Sequence, residues 1–167
     1  MKKVLLLIIS VLFAIQANAQ TQEEAPAVTI DSLSTKLAEL QHNYDFLYYT
    51  YQLHDVKTDF DQLRQDINIQ ITSLSVNISY GQYSRDLYTS HSRLYDSYCD
   101  AYDIRKRDFE FVQELIATIG FTEYELNFFN SYIKMTKHSM ERVEQILKHY
   151  DARIKIYKDK RWRYSWE

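Results

Sequence analysis

The sequence is poor in the residues that interrupt helices or cross-link chains. Its 167 residues include one proline, two glycines and one cysteine. Proline and glycine end helices and shape tight turns, so their scarcity favours long helices and argues against a sheet-rich fold. Cys99 has no second cysteine for an intramolecular disulfide, so stability must come from packing. We expect Cys99 to be a partly buried thiol, with a disulfide-linked dimer as the alternative.

The chain also lacks a strong charge imbalance. Its formal net charge is −3, which is ordinary for a soluble protein and argues against a nucleic-acid-binding domain. It is instead rich in tyrosine, with 15 residues. Tyrosine fills wide gaps between helices while its hydroxyl group reaches the rim of the core. We therefore expect the tyrosines to pack between helices; the alternative is that they form a binding surface.

The N-terminus has the pattern of a secretory signal peptide. Lys2 and Lys3 precede an apolar run over 4–15, and the sequence Ala-Asn-Ala follows at 17–19. A charged start, a short apolar core and a small-x-small site predict cleavage after residue 19. The run is shorter than the ~20 residues of a membrane-spanning helix, which disfavours an uncleaved anchor. The sequence thus predicts an exported protein, in the periplasm or associated with the cell surface.

The rest of the chain fits one domain with two short ends. Residues 20–29 are polar and include Pro26, so they are predicted to be a flexible lead-in. Residues 30–160 are predicted to form a helical bundle domain. Residues 161–167 form a basic and aromatic tail.

The clearest helical pattern lies between Leu87 and Ile119, where apolar residues recur every seven positions in three adjacent rows. The rows are Tyr88, Tyr95, Tyr102, Phe109 and Ile116; Leu87, Leu94, Ala101 and Leu115; and Tyr98, Val112 and Ile119. Three rows make a stripe wider than the seam of a two-stranded coiled coil, so this helix should have at least two neighbours. The opposite face carries charged residues and suits water.

The first helix shows a clean heptad repeat that changes phase. The repeat consists of Ile30, Leu33, Leu37, Leu40, Tyr44, Leu47 and Tyr51. We interpret Leu37 and Leu40 as core positions, with a helix cap at Asp31 or Ser32. Beyond His54 the apolar residues follow another row, Val56, Phe60, Leu63 and Ile67. Either the helix breaks near 55–59, or it continues with a shifted phase.

Residues 66–80 fit two structures. Their apolar residues share a helical face, which favours helix, but they also alternate strictly, which would suit a small β-hairpin. Gly81 should end this element in a left-handed conformation, and Gly120 should end the next helix, 82–118, in the same way. Thr122 and Glu125 match a capping box that opens a last helix over 122–160.

These elements predict an all-α fold, an elongated antiparallel bundle of three long helices, or four if the first helix breaks near 55–59. The connection over 119–122 is so short that the last two helices should be antiparallel neighbours.

No motif predicts a cofactor, a metal or catalysis. Glu39 and His42 have the Glu-x-x-His spacing of di-iron bundles, but such sites need two such pairs, and we expect both side chains on the outward face. For a haem site, only Met140 of the set Met135, His138 and Met140 lies on a core row. No nucleophile, oriented base and oxyanion donor occur together, so we expect a non-enzyme.

His91 and Arg105 lie on the third row of the tyrosine-rich helix. We expect His91 to be packed and hydrogen bonded, with a titrating switch as the alternative. Arg105 should either extend its charge from the edge of the stripe to water or pair with an acidic residue of a neighbouring helix.

The C-terminal tail combines cations with aromatic residues. The candidate binding residues are Lys158, Lys160, Arg161, Trp162, Arg163, Tyr164 and Trp166. The dipole of the last helix explains cations at its end but not two tryptophans beyond them. Basic residues that alternate with Trp and Tyr are typical of segments that bind lipid headgroups or an anionic partner.

In outline, the chain resembles the exported helical accessory proteins of bacterial envelope and conjugation machines. That resemblance implies a non-catalytic interaction protein, a scaffold, adaptor or assembly subunit, which binds a protein partner or assembles with itself. The alternative is a monomeric helical protein that binds a membrane surface or a small ligand. We expect no nucleic-acid partner.

Overall fold

A computed structural model describes residues 30–164, and the side chains of residues 32–160. It contains three helices: α1 spans Ile30–Ser79, α2 spans Arg85–Thr118 and α3 spans Glu123–Tyr164. The prediction of an all-α bundle of three long helices is confirmed. The leader over 1–19 and the lead-in over 20–29 lie outside the described residues. Contacts divide the chain after Gln41, and the packed core belongs to the unit that begins at His42.

Helix α1 is unbroken where a break was considered. It runs through 55–59 and through 66–79 as one helix of 50 residues, so the fourth helix is absent and the hairpin alternative is not confirmed. No proline or glycine occurs between Ile30 and Tyr80, so nothing in the backbone forces a break. The helix begins at Ile30, which places Asp31 and Ser32 inside its first turn and not at its cap.

The two glycines behave differently. Gly81 has a φ of 68°, and the N–H of Gln82 donates to the carbonyl of Asn77 at 2.9 Å, which is the Schellman ending that the sequence predicts. Gly120 does not adopt this conformation, so that prediction is wrong. Helix α2 ends at Thr118, and the extended backbone of the cap residue Ile119 (φ −89°, ψ 134°) turns the chain instead.

The starts of α2 and α3 are set by side-chain caps. The Ser84 hydroxyl accepts from the Leu87 N–H at 3.1 Å, so α2 begins three residues later than predicted. The capping box of α3 is confirmed, because Glu125 Oε2 accepts from the Thr122 N–H at 2.8 Å.

Within 42–164 the three helices pack pairwise. Phe60 of α1 contacts Tyr102 of α2, with ring centroids 5.8 Å apart. Asp61 of α1 accepts a hydrogen bond from Ser139 of α3 at 3.0 Å. Between α1 and α2, Asp59 lies near Arg105 and Phe60 contacts Tyr102; between α2 and α3, His91 contacts Tyr150 and Tyr102 contacts Glu144. In both pairs, a higher residue number on one helix goes with a lower number on the other. Helix α2 is therefore antiparallel to both of its neighbours.

The core of α2 follows the predicted rows. Its buried residues are His91, Tyr102, Phe109, Val112 and Ile116, and Tyr88 and Tyr95 pack against them. Tyrosines also fill the core in α3, where Tyr150 and Tyr157 are fully buried. The Tyr157 hydroxyl donates to the Gln82 carbonyl at 2.9 Å and accepts from the Ser84 N–H at 2.7 Å. Burial of this hydroxyl therefore leaves no unsatisfied polar atom.

Candidate interaction surfaces

Helix α1 carries an exposed apolar face at the heptad positions. We call this set the heptad stripe; it consists of Leu33, Leu37, Leu40, Tyr44, Leu47 and Tyr51. The exposed fractions run from 40% for Leu33 to 66% for Leu40 and Leu47. The interpretation of Leu37 and Leu40 as core positions is therefore wrong, and the exposed stripe is the feature that the sequence analysis missed.

The core side of α1 is a different row of residues. Phe46 packs on Phe129 with ring centroids 5.2 Å apart, and Leu53 is fully buried. Tyr44 and Phe46 are two positions apart, which separates their side chains by roughly 200° at 3.6 residues per turn. Between 44 and 51, α1 is thus apolar on two opposite faces, and only one of them is packed.

The heptad stripe ends at Tyr51, and Tyr48 packs beside it. Continuing the repeat beyond Tyr51 leads to His54 and Thr58, both exposed and polar. Beside the stripe, Tyr48 stacks on Tyr44 with ring centroids 6.1 Å apart and an interplanar angle of 17°. The apolar surface therefore covers a limited length of one helix, and two of its rings, Tyr44 and Tyr48, pack against each other.

The C-terminal tail is the second candidate surface. Helix α3 extends to Tyr164, so Arg161, Trp162, Arg163 and Tyr164 are helical rather than part of a separate tail. Lys158 and Lys160 are exposed. The side chains of residues 161–164 and all of Trp166 lie outside what the structure describes. Among residues 32–160, the last buried residue of α3 is Tyr157, which is fully buried.

His91 is buried against α3 as expected. Its Nδ1 lies 2.6 Å from the hydroxyl oxygen of Tyr150, and both residues are almost completely removed from solvent. Burial lowers the pKa of His91, because the protonated imidazole loses its hydration. Burial also raises the pKa of Tyr150 and, together with a hydrogen bond to Cys99, raises the pKa of Tyr95 to about 12.

Two polar links tie α2 to its neighbours near mid-helix. The Tyr102 hydroxyl donates to Glu144 of α3, and burial raises the pKa of Tyr102. Arg105 Nε lies 4.0 Å from an Asp59 carboxylate oxygen of α1, and its Nη1 donates to the Ala101 carbonyl at 3.1 Å. Nε of Arg105 makes no hydrogen bond, so the pairing with a neighbouring helix that was considered for Arg105 is present only as this long contact. The hydrogen bond between Tyr102 and Glu144 is therefore the stronger of the two links.

Cys99 is a half-buried thiol, as expected. Burial raises its pKa, although a hydrogen bond with Tyr95 acts in the opposite direction. A raised pKa reduces the thiolate fraction, and the thiolate is the reactive form of cysteine.

His42 does not lie on the outward face. Its Nε2 is 3.0 Å from each carboxylate oxygen of Glu125, and its ring lies 5.5 Å from that of Phe121. The hydrogen bonds from Thr122, with those from His42, hold the pKa of Glu125 below its usual range. The expectation failed because it took the heptad stripe for the core side. Glu39 is exposed as expected.

The remaining metal and haem candidates do not converge. Met135 and His138 are exposed, whereas Met140 packs against the core. Among the described residues, no three or more His, Cys, Asp and Glu side chains are placed to share a metal ion.

The grooves of the described surface are open. One of about 510 Å³ is lined by Asp86, Thr89, Ser90, Arg93 and Leu94, all on α2. A groove of about 280 Å³ lies between Arg64 of α1 and Arg142 and His149 of α3. A depression lined by a single helix cannot enclose a ligand as a cleft between elements does.

Between residues 30 and 164, none of the helices has the combination of length and apolar content that crossing a membrane requires. Comparisons with protein-family models, with curated proteins and with solved structures found no match for this chain.

Proposed function

We propose that this chain is an exported, non-catalytic helical interaction protein that acts as a scaffold, an adaptor or an assembly subunit of a bacterial cell-envelope or conjugation/secretion apparatus. The leader pattern over 1–19 supports export. The heptad stripe on α1 is the observation that supports interaction.

The size of the stripe supports a protein partner. With Tyr48 included, its side chains leave roughly 700 Å² accessible, which exceeds the ~300–600 Å² of the largest apolar patch on a typical monomer. The apolar positions are also spaced as coiled-coil seams are, three and four residues apart. A patch with this spacing matches the apolar face of another helix.

A non-catalytic role is supported by where the titratable groups lie. His91, the histidine with the most perturbed surroundings, is 3% exposed and its Nδ1 is occupied by Tyr150. A general base must reach the proton that it removes, and this imidazole faces the interior of the bundle.

The proposal is tested by photo-crosslinking in the native envelope. Leu40 is replaced by a photoreactive aromatic residue in the full-length protein, and the control places the same residue at Ile69. Ile69 lies on the same helix and is similarly exposed, at 63% against 66%, but it is outside the stripe. We expect discrete crosslinked products from position 40 and few from position 69.

The two parts of the proposal have separate outcomes. Equal or absent crosslinking at positions 40 and 69 would show that the stripe is not an interaction surface. Export is tested by fractionation of cells: the protein should be recovered outside the cytoplasm with residues 1–19 removed. Recovery of an uncleaved cytoplasmic form would overturn that part.

A second function, binding of an anionic membrane surface, is favoured by the exposed Lys158 and Lys160 at the end of α3. In a vesicle pelleting assay, the protein should bind anionic vesicles better than neutral ones. The binding should weaken with salt, because exposed charges are screened over ~10 Å at 0.1 M. Deletion of 161–167 should weaken it too. Equal binding to both vesicle types would exclude this function.

A further inference from the structure

We infer that the heptad stripe binds a second copy of this chain, with the two α1 helices antiparallel and related by a two-fold axis near His42. This inference rests on the proposed function and names the partner of the same surface. In a two-fold interface, residue i of one copy meets residue j of the other, and j meets i. The stripe has the self-complementary order that this symmetry requires.

The antiparallel register pairs every tyrosine of the stripe with a leucine. It places Leu33 opposite Tyr51 of the second copy, Leu37 opposite Leu47, and Leu40 opposite Tyr44. The reciprocal contacts follow from the symmetry, so both tyrosines of each stripe meet leucines. Four of the six layers then contain one leucine and one tyrosine, two contain two leucines, and none contains two tyrosines. This arrangement keeps the spacing between the two helices more even than layers of paired tyrosines would, which favours close packing.

A parallel register pairs the same residues poorly. It would stack Tyr44 on its own copy and Tyr51 on its own copy, while the N-terminal layers would contain only leucine. The spacing that the layers require would then alternate in the C-terminal half of the stripe, where the Leu47 layer lies between the wider Tyr44 and Tyr51 layers. Within the stripe, the positions that favour parallel dimers when β-branched are Leu37, Tyr44 and Tyr51, none of which is β-branched; Ile30, one heptad before Leu37 and outside the stripe, is.

The borders of the stripe place no like charges together. The flanking positions are Ser34, Lys36, Gln41, Asn43, Tyr48 and Thr50. Lys36 is the one charged residue among them, and in the antiparallel register it lies near Thr50 of the second copy. The stripe together with Tyr48 exposes roughly 700 Å² per copy, which is the upper limit of what the dimer can bury here and approaches the ~800 Å² that each partner contributes to a standard interface.

The first experiment measures association of the purified mature chain by light scattering and sedimentation. We expect a dimer, and we expect Leu40→Glu to weaken it at least ~10-fold. The control is Ile69→Glu, a substitution of matched exposure outside the stripe, which should leave the dimer intact. Both positions are exposed, so circular dichroism should show both variants folded.

The second experiment determines orientation in a Cys99→Ser background. Chains with Leu37→Cys and chains with Leu47→Cys are mixed and oxidised. The antiparallel register predicts a disulfide between the two kinds of chain. It predicts none between two Leu37→Cys chains, whose cysteines would be ~15 Å apart along the axis at ~1.5 Å per residue. Disulfides within one kind of chain only would indicate parallel pairing and overturn the inference.

The outcomes separate the inference from the proposed function. If the mature chain stays monomeric up to ~0.1 mM while position 40 still crosslinks to another protein in the envelope, the dimer is wrong and the interaction role stands. A monomer without envelope crosslinks overturns both. A dimer that Leu40→Glu and Ile69→Glu disturb equally, or not at all, uses another surface and overturns the inference.

Discussion

The contact between His91 and Tyr150 provides a quantitative test of how this core holds polar groups. Tyr150→Phe removes one oxygen atom and keeps the ring that packs against Tyr95 and Tyr98. The substitution leaves Nδ1 of His91 buried without the partner that lies 2.6 Å away in the wild-type protein. The change in the free energy of unfolding therefore measures the loss of this hydrogen bond, with little contribution from packing.

Two effects set the magnitude. Loss of a net hydrogen bond costs about 0.5–1.5 kcal/mol, and a buried nitrogen left without a partner costs about 1–3 kcal/mol. We expect Tyr150→Phe to lower the free energy of unfolding by about 2 kcal/mol. Tyr124→Phe is the matched control because Tyr124 is 79% exposed, and its effect should stay within ~0.5 kcal/mol.

Urea unfolding followed by circular dichroism measures both variants. A double-mutant cycle with His91→Leu isolates the contact, and we expect a coupling of about 1–2 kcal/mol between the two positions. If Tyr150→Phe changes stability by less than ~0.5 kcal/mol, or if the coupling is zero, the hydrogen bond does not hold His91 in the core and the reasoning fails.

The same pair predicts a pH dependence with a definite sign. Burial holds the pKa of His91 in the folded state below the ~6.5 of the unfolded chain. The unfolded state then takes up a proton first, so stability is complete above about pH 6.5 and falls as the pH drops towards the folded pKa. The decline attributable to His91 has a maximal slope of about 1.4 kcal/mol per pH unit. His91→Leu should have a flatter profile; identical slopes would contradict the assignment.

Three further substitutions and a deletion test the fold, each by thermal and urea unfolding. Tyr102→Ala should cost about 3–4 kcal/mol because it empties a buried ring site on Phe60, and a cost below ~0.5 kcal/mol would contradict its burial. Gly81→Ala should cost about 1 kcal/mol, since alanine is strained at positive φ although its Cβ meets no atom; a stabilised variant would contradict the left-handed turn. Thr122→Ala should cost about 1 kcal/mol through loss of the cap of α3, and an unchanged melting temperature would show that the capping box is dispensable. Deletion of 161–167 should leave the melting temperature nearly unchanged, because the apolar repeat of α3 in the sequence finishes at Tyr157; unfolding would mean that those residues pack on the bundle.

Helix α2 could be predicted almost completely from the sequence. Every residue of the first predicted row is in the core: Tyr102, Phe109 and Ile116 are buried, and Tyr88 and Tyr95 pack against the buried residues. The N-terminal cap of α3 could also be predicted from the sequence, because the side chains of Thr122 and Glu125 each accept a hydrogen bond from the other residue's backbone N–H within one turn. A local pattern of this kind can be predicted from the sequence alone, because the residues that interact lie within one turn of each other.

The ends of helices were harder to predict where the sequence permits more than one backbone conformation. Gly120 could have adopted the left-handed turn, but an extended Ile119 redirects the chain with no need for a positive φ. Asp31 and Ser32 could each cap a helix, but the choice depends on where the first turn begins. A residue type that permits a conformation does not require it.

The sequence analysis predicted the wrong core-facing side of α1, and the reason concerns the candidate site itself. A heptad repeat shows that one side of a helix is apolar, and it contains no information about what covers that side. In α1 the stripe and the core row occupy opposite faces between 44 and 51, and the change of phase near His54 marks where the stripe ends and the core row continues alone. Helix lengths contained a further clue, since α2 with 34 residues cannot lie along all 50 residues of α1. The second apolar phase of α1 therefore marks a second apolar face of one continuous helix and not a break.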